Sequence, residues 1–400
     1  MTLIYFRVMD VSEKLSLLSE GARYDISCAC GDKKLDRRIN AGGGRWLYPV
    51  SLPNGGRSII FKVLLTNACE NDCGYCPFRS DADTARCSMA PEKVVATFLE
   101  YLRRMRLAGI FVSSGVVGGA DNTMERILDV GRALRRRGYR GYIHLKVIPG
   151  ASDAAIAEAV ALADAVSINL EAPGEKRFAK ICGTKNYIDG VVGPLKTIHH
   201  LISEIPPELR KTRSTTQFVV GASDETDSEL LRYMTGLYGR MGLHRVYFSA
   251  YQRGLGRGGI PGEELRPENP DAPTIREHRL YQSDFLMRKY GFNGEEIPLT
   301  PDGFLRLDKD PKEAWAEAHP EFFPVDINTA EREMLLRVPG LGPKTVSRIL
   351  KARRSGRLRS LEDVGVKGAA LAKSESYVVP SNATLLPLFN IPFAAATNTA

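Results

Sequence analysis

FKVLLTNACENDCGYCPFR, residues Phe61–Arg79, starts as an apolar run and ends as a loop carrying Cys69, Cys73 and Cys76, with Tyr75 just before the last. Its first part belongs to an apolar segment, Ile59–Leu65, of strand length and composition. Three thiolates so closely spaced on one loop can wrap one face of an iron–sulfur cube. Four-iron clusters ordinarily take four cysteines, so three ligands leave one iron open to an exogenous group. An open coordination position separates a reactive metal site from a structural one. Two alternatives stand beside this reading: a zinc site, and an electron-transfer cluster completed by Cys87. Zinc favours CxxC pairs with a second pair or histidines, and no such partner lies near in sequence.

The CxxxCxφC pattern, φ being aromatic, resembles the signature of the radical S-adenosylmethionine (SAM) superfamily. The resemblance implies a 4Fe–4S cluster on Cys69, Cys73 and Cys76, with SAM chelating the open iron through its amino and carboxylate groups. One electron, from a reductant such as flavodoxin or ferredoxin, then splits the sulfonium. The product is a 5′-deoxyadenosyl radical that abstracts a substrate hydrogen.

On either side of this loop the pattern is regular. Residues 11–24 read as a short amphipathic helix, and Asp32–Gly44 as a polar, glycine-rich loop. Trp46–Leu52, the turn Pro53–Gly56 and Ser58–Leu65 read as a hairpin. Strand-length runs follow at Ile110–Ser113, Gly141–Ile148, Ala165–Leu170, Thr215–Val220 and Arg245–Ala250. They alternate with helical patterns at Pro91–Leu107, Asn122–Arg137, Asp153–Ala163, Asp189–Ile205 and Thr226–Met241. Such alternation implies an α/β fold, a parallel sheet with helices outside. It resembles the (β/α)6 partial TIM barrel of radical SAM enzymes over residues 57–255. Residues 1–56 form an N-terminal helix and hairpin extension. Residues 256–325, with Thr274–Tyr290 helical and Pro311, Pro320 and Pro324 as breakers, form a connector with accessory helices.

If this is a radical SAM barrel, SAM lies across the C-terminal strand ends. Ser113, Ser114 and Gly115 stand where the family commonly carries Gly-Gly-Glu against the amino group, and the carboxylate of that motif is missing. Asn169 and Glu171 offer an amide and a carboxylate for the ribose hydroxyls. TTQFVVGASDE, with Gln217 and Gly221, resembles the GxIxGxxE region beside adenine, where Gly221 allows close backbone approach. Tyr75 joins these as a cofactor-binding candidate. Arg79, Lys146, Lys176 and Arg177 could meet SAM's carboxylate or a substrate phosphate, solvated surface being the default for each. His144 is expected to be a hydrogen-bonded core histidine. No catalytic residue can be named.

A second signal lies in Asp326–Ser360, DINTAEREMLLRVPGLGPKTVSRILKARRSGRLRS. Asn328 reads as an N-cap with Glu331 three residues on. The helix it opens stops at Pro339, and Gly340-Leu341-Gly342 leads into Lys344–Arg354. This resembles the helix-hairpin-helix of DNA repair and uptake proteins, so residues 326–379 are expected to form an all-α DNA-binding domain. Glycines let backbone approach a phosphate, and the free N–H groups and dipole of the second helix bind it. Gly340, Gly342, Lys344, Thr345 and Arg348 are the candidate contacts. Residues 331–359 hold nine basic side chains against two acidic, nearly all of the chain's net charge of +8. A focused basic face is a phosphate footprint that carries no base specificity by itself. GLGPKT is not a P-loop, because Pro343 stands where GxxxxGK[ST] needs Gly. A protein-docking helix pair is the alternative. Leu361–Val379 reads as a packing half-repeat, and residues 380–400 as a poorly ordered tail.

Composition is that of a globular protein, 43% hydrophobic and 26% charged. No run of apolar residues is long enough for a membrane span, and MTLIYFRVMD lacks the organisation of a signal peptide. Seven cysteines in 400 residues make no disulfide framework. A thiolate cluster points to a reducing cytoplasm. Cys28 and Cys30 read as small buried residues, metal ligands being the alternative, and Cys182 is given no role. Taken together, YDISCAC, the cysteine loop, SSGV, SINLEAP, REHRLYQSDF and VPGLG resemble DNA modification/repair radical SAM proteins associated with a uracil-DNA-glycosylase-like partner. The implied function is SAM radical chemistry on DNA. An RNA- or tRNA-modifying enzyme and a non-catalytic iron–sulfur redox sensor that binds DNA are the alternatives.

Overall fold

The computed structural model describes residues 9–22, 46–51 and 56–380. YDISCAC with Cys28 and Cys30, the Asp32–Gly44 loop, most of the Pro53–Gly56 turn and the tail beyond 380 lie outside the described residues. The chain divides into two units. One holds the described residues up to Asp284 with Leu299–Asp308; the other holds Phe285–Pro298 and the described residues from Lys309 onward.

In the first unit, helix α1 (Val11–Ala22) precedes a seven-stranded sheet in sequence order: β1 (Leu47–Ser51), β2 (Arg57–Leu64), β3 (Leu107–Ser113), β4 (Tyr142–Lys146), β5 (Ala165–Ser167), β6 (Arg213–Val220) and β7 (Arg245–Ala250). β1 runs antiparallel to β2, completing the expected hairpin, and every later pair is parallel. The crossovers carry α2 (Pro91–Arg104), α3 (Ala120–Arg136), α4 (Asp153–Leu162), α5 (Glu175–Ala179), α6 (Gly193–Ser203) and α7 (Asp227–Gly239). This is a curled half-barrel. α8 (Pro261–Glu264) and the first part of α9 (Ala272–Tyr290) follow.

The two faces of the sheet differ in chemistry. Phe61 packs edge-on against Phe98 of α2, at 5.8 Å between centroids, so its side of β2 is the helix-covered side. Residues paired across parallel strands share a face. Ile110, Val112, Ile143, Leu145 and Val166 thus join Phe61 and Val63 in the outer core, all fully buried. The concave face carries Lys62, Phe111 and His144 in one layer, and Ser113, Lys146, Ser167 and Thr215 around the next. His144 reaches this face and bonds Ser167 Oγ at 2.9 Å. β7 would be an open edge, which exposes unpaired backbone. Side chains close it: Tyr238 Oη accepts from Val246 N–H, Tyr281 Oη from Phe248 N–H, and Glu277 Oε2 from Ala250 N–H.

Helix α2 ends at Arg104 and β3 takes up Leu107, both expected otherwise, and α5 and α8 were not expected; two further elements differ from expectation. β5 ends at Ser167 rather than Leu170, because Glu171 adopts a left-handed conformation (φ 61°) and pairs singly with Phe218. The helix expected from Asp189 opens as a π-turn, Ile188–Val192, before α6. Pro194 has no N–H for the regular ladder, so the turn widens ahead of it.

The second unit contains α10 (Pro311–Ala318), β8 (Val325–Asp326), α11 (Arg332–Arg337), α12 (Pro343–Ala352), α13 (Gly368–Ser374) and β9 (Val378–Val379). It is not all-α: β8 and β9 pair in parallel, and Ile327 N–H continues the ladder to the Val379 carbonyl at 3.0 Å. Asn328 does not cap α11, whose N-cap is Glu331. The Asn328 amide instead makes paired bonds to the Leu358 backbone at 2.8 and 3.0 Å. Leu335, Val338, Leu341, Val346, Ile349, Leu361 and Val364 form one core, so the residues after Leu361 pack against the hairpin.

Candidate functional site

β2 delivers the chain to Thr66 and Asn67 at the C-terminal edge of the sheet, and the cysteine loop is built from there. Asn67 accepts from Cys87 N–H at 2.8 Å and donates to the Ala85 carbonyl at 2.8 Å, closing the loop's neck. Arg86 fills the interior. Its guanidinium donates to the carbonyls of Asn67, Phe78, Arg79 and Ala82 at 2.6–2.9 Å. Two carboxylates tie the loop to its neighbours. Glu70 accepts from the N–H groups of Gly118 and Gly119 beyond β3. Asp72 accepts from the backbone of Gly183 and Thr184 and from the Thr184 hydroxyl at 2.7 Å. The Thr184 and Gly183 bonds oppose burial and hold the Asp72 carboxyl below its ordinary range.

Gly115 lies against this loop at the closest approach. A Cβ there would stand 2.1 Å from the Ala68 carbonyl oxygen, and its N–H already bonds the Thr66 carbonyl at 2.8 Å. Cys69 Sγ accepts from Val116 N–H at 3.4 Å and Cys76 Sγ from Phe78 N–H at 3.4 Å. Burial, with the Cys73 charge beside it, pushes the Cys76 thiol up to about 12. Cys73 is buried, and its sulfur meets that of Cys182 at 3.7 Å. The bond from Cys182 overcomes burial, and the Lys185 ammonium assists, bringing Cys73 down to about 5; the same bond raises Cys182. Cys87, the alternative fourth ligand, points its sulfur at the Lys14 carbonyl, 3.9 Å away. Cys182 is a fourth thiol, set against Cys73, and nothing in the spacing of the motif points to it.

Among the described residues no three His, Cys, Asp or Glu side chains are gathered tightly enough for one metal ion. A cube spreads its thiolates over separate irons and needs no such convergence. The donor chemistry fits a cluster: three thiols on one laced loop, with backbone N–H donors already aimed at two of the sulfurs. The polar surroundings fit a charged nucleoside. Glu171 is buried with Oε2 lacking a hydrogen-bond partner. Burial raises its carboxyl, opposed by Lys146 and Lys185 and by a bond from Tyr75. Tyr75 is itself raised well above its usual value, by burial and then by Glu171. Ser113, Asn169 and Gln217 are buried near the same strand ends. Ser114 spends its hydroxyl on the Gly115 carbonyl, and Gly221 takes a left-handed φ of 83° with its N–H on Glu225. Of the surface cations considered, Arg79 bonds Cys76 and Leu255 carbonyls, and Arg177 pairs with Asp224 and Glu229.

The hairpin of the second unit has a different construction. α11 ends at Arg337, Gly340 turns with φ 81°, and α12 starts at Pro343 without a side-chain cap. The N–H groups of Lys344 and Thr345 therefore have no intrahelical acceptor. Lys344 and Arg348 are exposed; Thr345 is half-buried and accepts from Arg348 Nη2 at 3.3 Å. Gly340 backs onto α13, where a Cβ would stand 2.6 Å from the Ala370 carbonyl. Below it, Lys312 Nζ donates to the Leu341 carbonyl at 2.6 Å and lies over the Tyr290 ring. The basic count overstates the available charge. Arg337 stacks on Phe292 and Trp315 and pairs with Glu296, and Arg353 binds the Ala330 carbonyl.

Residues 63–235 match the family model of the Radical SAM superfamily. Residues 63–235 thus form a radical SAM domain, and members of that superfamily are enzymes whose cofactors are a 4Fe–4S cluster and SAM. These supply, when bound, one-electron cleavage of SAM to a 5′-deoxyadenosyl radical. Among solved structures, methylornithine synthase (PylB) is similar at 14% identity over 55% of this chain and 61% of that one, with a TM-score of 0.43. The FeFe-hydrogenase maturase HydG from Carboxydothermus hydrogenoformans is similar at 13% identity over 57% and 51%, with a TM-score of 0.44. This chain thus spans about half to three fifths of the length of those proteins. No curated protein matches the sequence. No described helix is long and apolar enough to cross a membrane.

Proposed function

We propose that this radical SAM enzyme modifies or repairs DNA, with the helix-hairpin-helix of the second unit holding the phosphate backbone. The carrying observation is the uncapped start of α12 behind Gly340–Gly342, flanked by exposed Lys344 and Arg348. Open N–H groups and cations at a helix start suit a phosphate. In the first unit, Cys69, Cys73 and Cys76 take the cluster. Tyr75, Ser113, Ser114, Gly115, Asn169, Glu171, Gln217 and Gly221 line SAM, with the unsatisfied Glu171 oxygen available to a ribose hydroxyl. A base in duplex must leave the stack to reach a barrel mouth, at a few kcal/mol. A cytoplasmic location, a flavodoxin or ferredoxin reductant and a uracil-DNA-glycosylase-like partner belong to the same reading.

The test is anaerobic reconstitution of the full chain with dithionite and SAM, with and without DNA and RNA duplexes of matched sequence. The reading expects 5′-deoxyadenosine release that DNA stimulates and RNA does not. Stimulation by RNA alone moves the substrate to RNA, and release indifferent to both removes nucleic acid as the substrate.

A further inference from the structure

Beyond the C-terminal end of α12 lies an open cleft of about 420 Å³, lined by Asn328, Arg353, Arg354, Ser355, Gly356 and Arg357. Its walls are fixed. The Asn328 amide holds the Leu358 backbone through both its oxygen and its nitrogen, and Leu358 is buried in the core. Arg353 is anchored on the Ala330 carbonyl at 2.7 Å. Arg354 and Arg357 stand at the rim, exposed, and neither enters an ion pair among the described residues. A cation at a helix C-terminus is favoured by the dipole, which accounts for one arginine there. Arg354 and Arg357 thus add two exposed guanidinium groups, without an acidic partner among the described residues, to the lining of one cleft. The planar guanidinium fork matches phosphate oxygens.

The cleft also continues the hairpin. Lys344, Arg348 and Lys351 recur at the spacing of one helix row and are exposed, while Val346 and Ile349 on the other side are fully buried. A cationic stripe therefore runs the length of α12, from the hairpin to the arginines. Ten residues of helix cover about 15 Å.

We propose that the Arg354–Arg357 cleft binds a second backbone phosphate of the nucleic acid held by the hairpin, the strand tracking along α12 between the two points. This rests on the nucleic-acid reading of the hairpin, and the test separates the two. Affinity of the full chain for a labelled duplex is measured across a salt series, for wild type, K344E and R354A/R357A. Loss of one phosphate contact lowers the log–log salt slope by about 1. The cleft variant is expected to bind roughly tenfold more weakly at physiological salt, alike for every sequence, with an unchanged melting midpoint. R354K/R357K is expected to restore the slope, because lysine supplies the charge without the fork. An unchanged slope in R354A/R357A, with K344E impaired, overturns the cleft and leaves the hairpin standing. No duplex binding by wild type, DNA or RNA, overturns both. A cleft-dependent slope seen with RNA and not DNA supports the cleft and reassigns the polymer.

Discussion

Arg86 reaches four carbonyl oxygens inside the cysteine loop, and Asn67, Glu70 and Asp72 consume further backbone groups. The Val338–Gly342 hairpin instead rests on apolar packing of Val338 and Leu341 and a lysine beneath its backbone. The difference follows from what each turn presents. Sulfur ligands must stand in place before a cofactor arrives, so side chains fix the backbone that carries them. A turn that offers its own N–H groups keeps them open, and is held from behind by burial.

The sharpest break of this comparison is Cys73→Ala. Cys73 sits in the loop and has no part in the hairpin, so the variant is expected to lose iron and all 5′-deoxyadenosine release while binding duplex within about twofold of wild type. Iron analysis and a binding isotherm on one preparation decide it. Joint loss of both properties would show that the two turns are coupled.

Arg86→Ala tests the lacing itself. Hydrogen bonds from a charged group contribute about 1.5–3 kcal/mol each when their acceptors stay dry. Several are lost here, so destabilisation by roughly 3 kcal/mol or more and severalfold lower iron occupancy are expected. Arg86→Lys can satisfy fewer carbonyls and should fall between. Full occupancy in Arg86→Ala would mean that the cysteines need no such scaffold.

Gly340→Ala is the counterpart in the hairpin. A Cβ there meets the Ala370 carbonyl at 2.6 Å on a residue with φ 81°, a strain of roughly 1–3 kcal/mol. Duplex affinity and the melting of the second unit should suffer, and cluster loading should not.

These residues were unevenly legible. The strand–helix alternation could be read because the outer face is apolar, from Phe61 to Val166, and Cys69, Cys73 and Cys76 because their spacing is itself the signal. Arg86, Asp72 and Cys182 could not, because their meaning depends on partners the fold brings together. Asp72 meets Thr184 and Cys182 meets Cys73 only once the sheet sets β5 three strands from β2. In sequence each is an ordinary polar or small residue of a loop. Asn328 misled for the same reason: its local pattern is that of an N-cap, but the backbone it satisfies is at Leu358. Net charge counted Arg337 as surface although it lies over two aromatic rings.

The smallest expected effect concerns the lysine behind the hairpin. Burial brings the Lys312 ammonium down to about 7, with Asp310 opposing and Lys373 reinforcing the shift. Tyr290 supplies a ring face and the Leu341 carbonyl a hydrogen bond, which the neutral amine can also donate to. An unfolded lysine titrates near 10.4. Below pH ~7 both states carry the proton, and the folded unit bears the full cost of a buried charge. Above it the folded state sheds the proton while the unfolded chain keeps it, so stability rises with pH until about 10.4. Wild type should therefore gain on Lys312→Met by on the order of 2 kcal/mol between pH 7 and 9, read from denaturation of the second unit at matched ionic strength. A pH-independent difference would mean that the ammonium stays charged under the hairpin. It would then belong with the cations of α12 and not with the packing that holds Leu341.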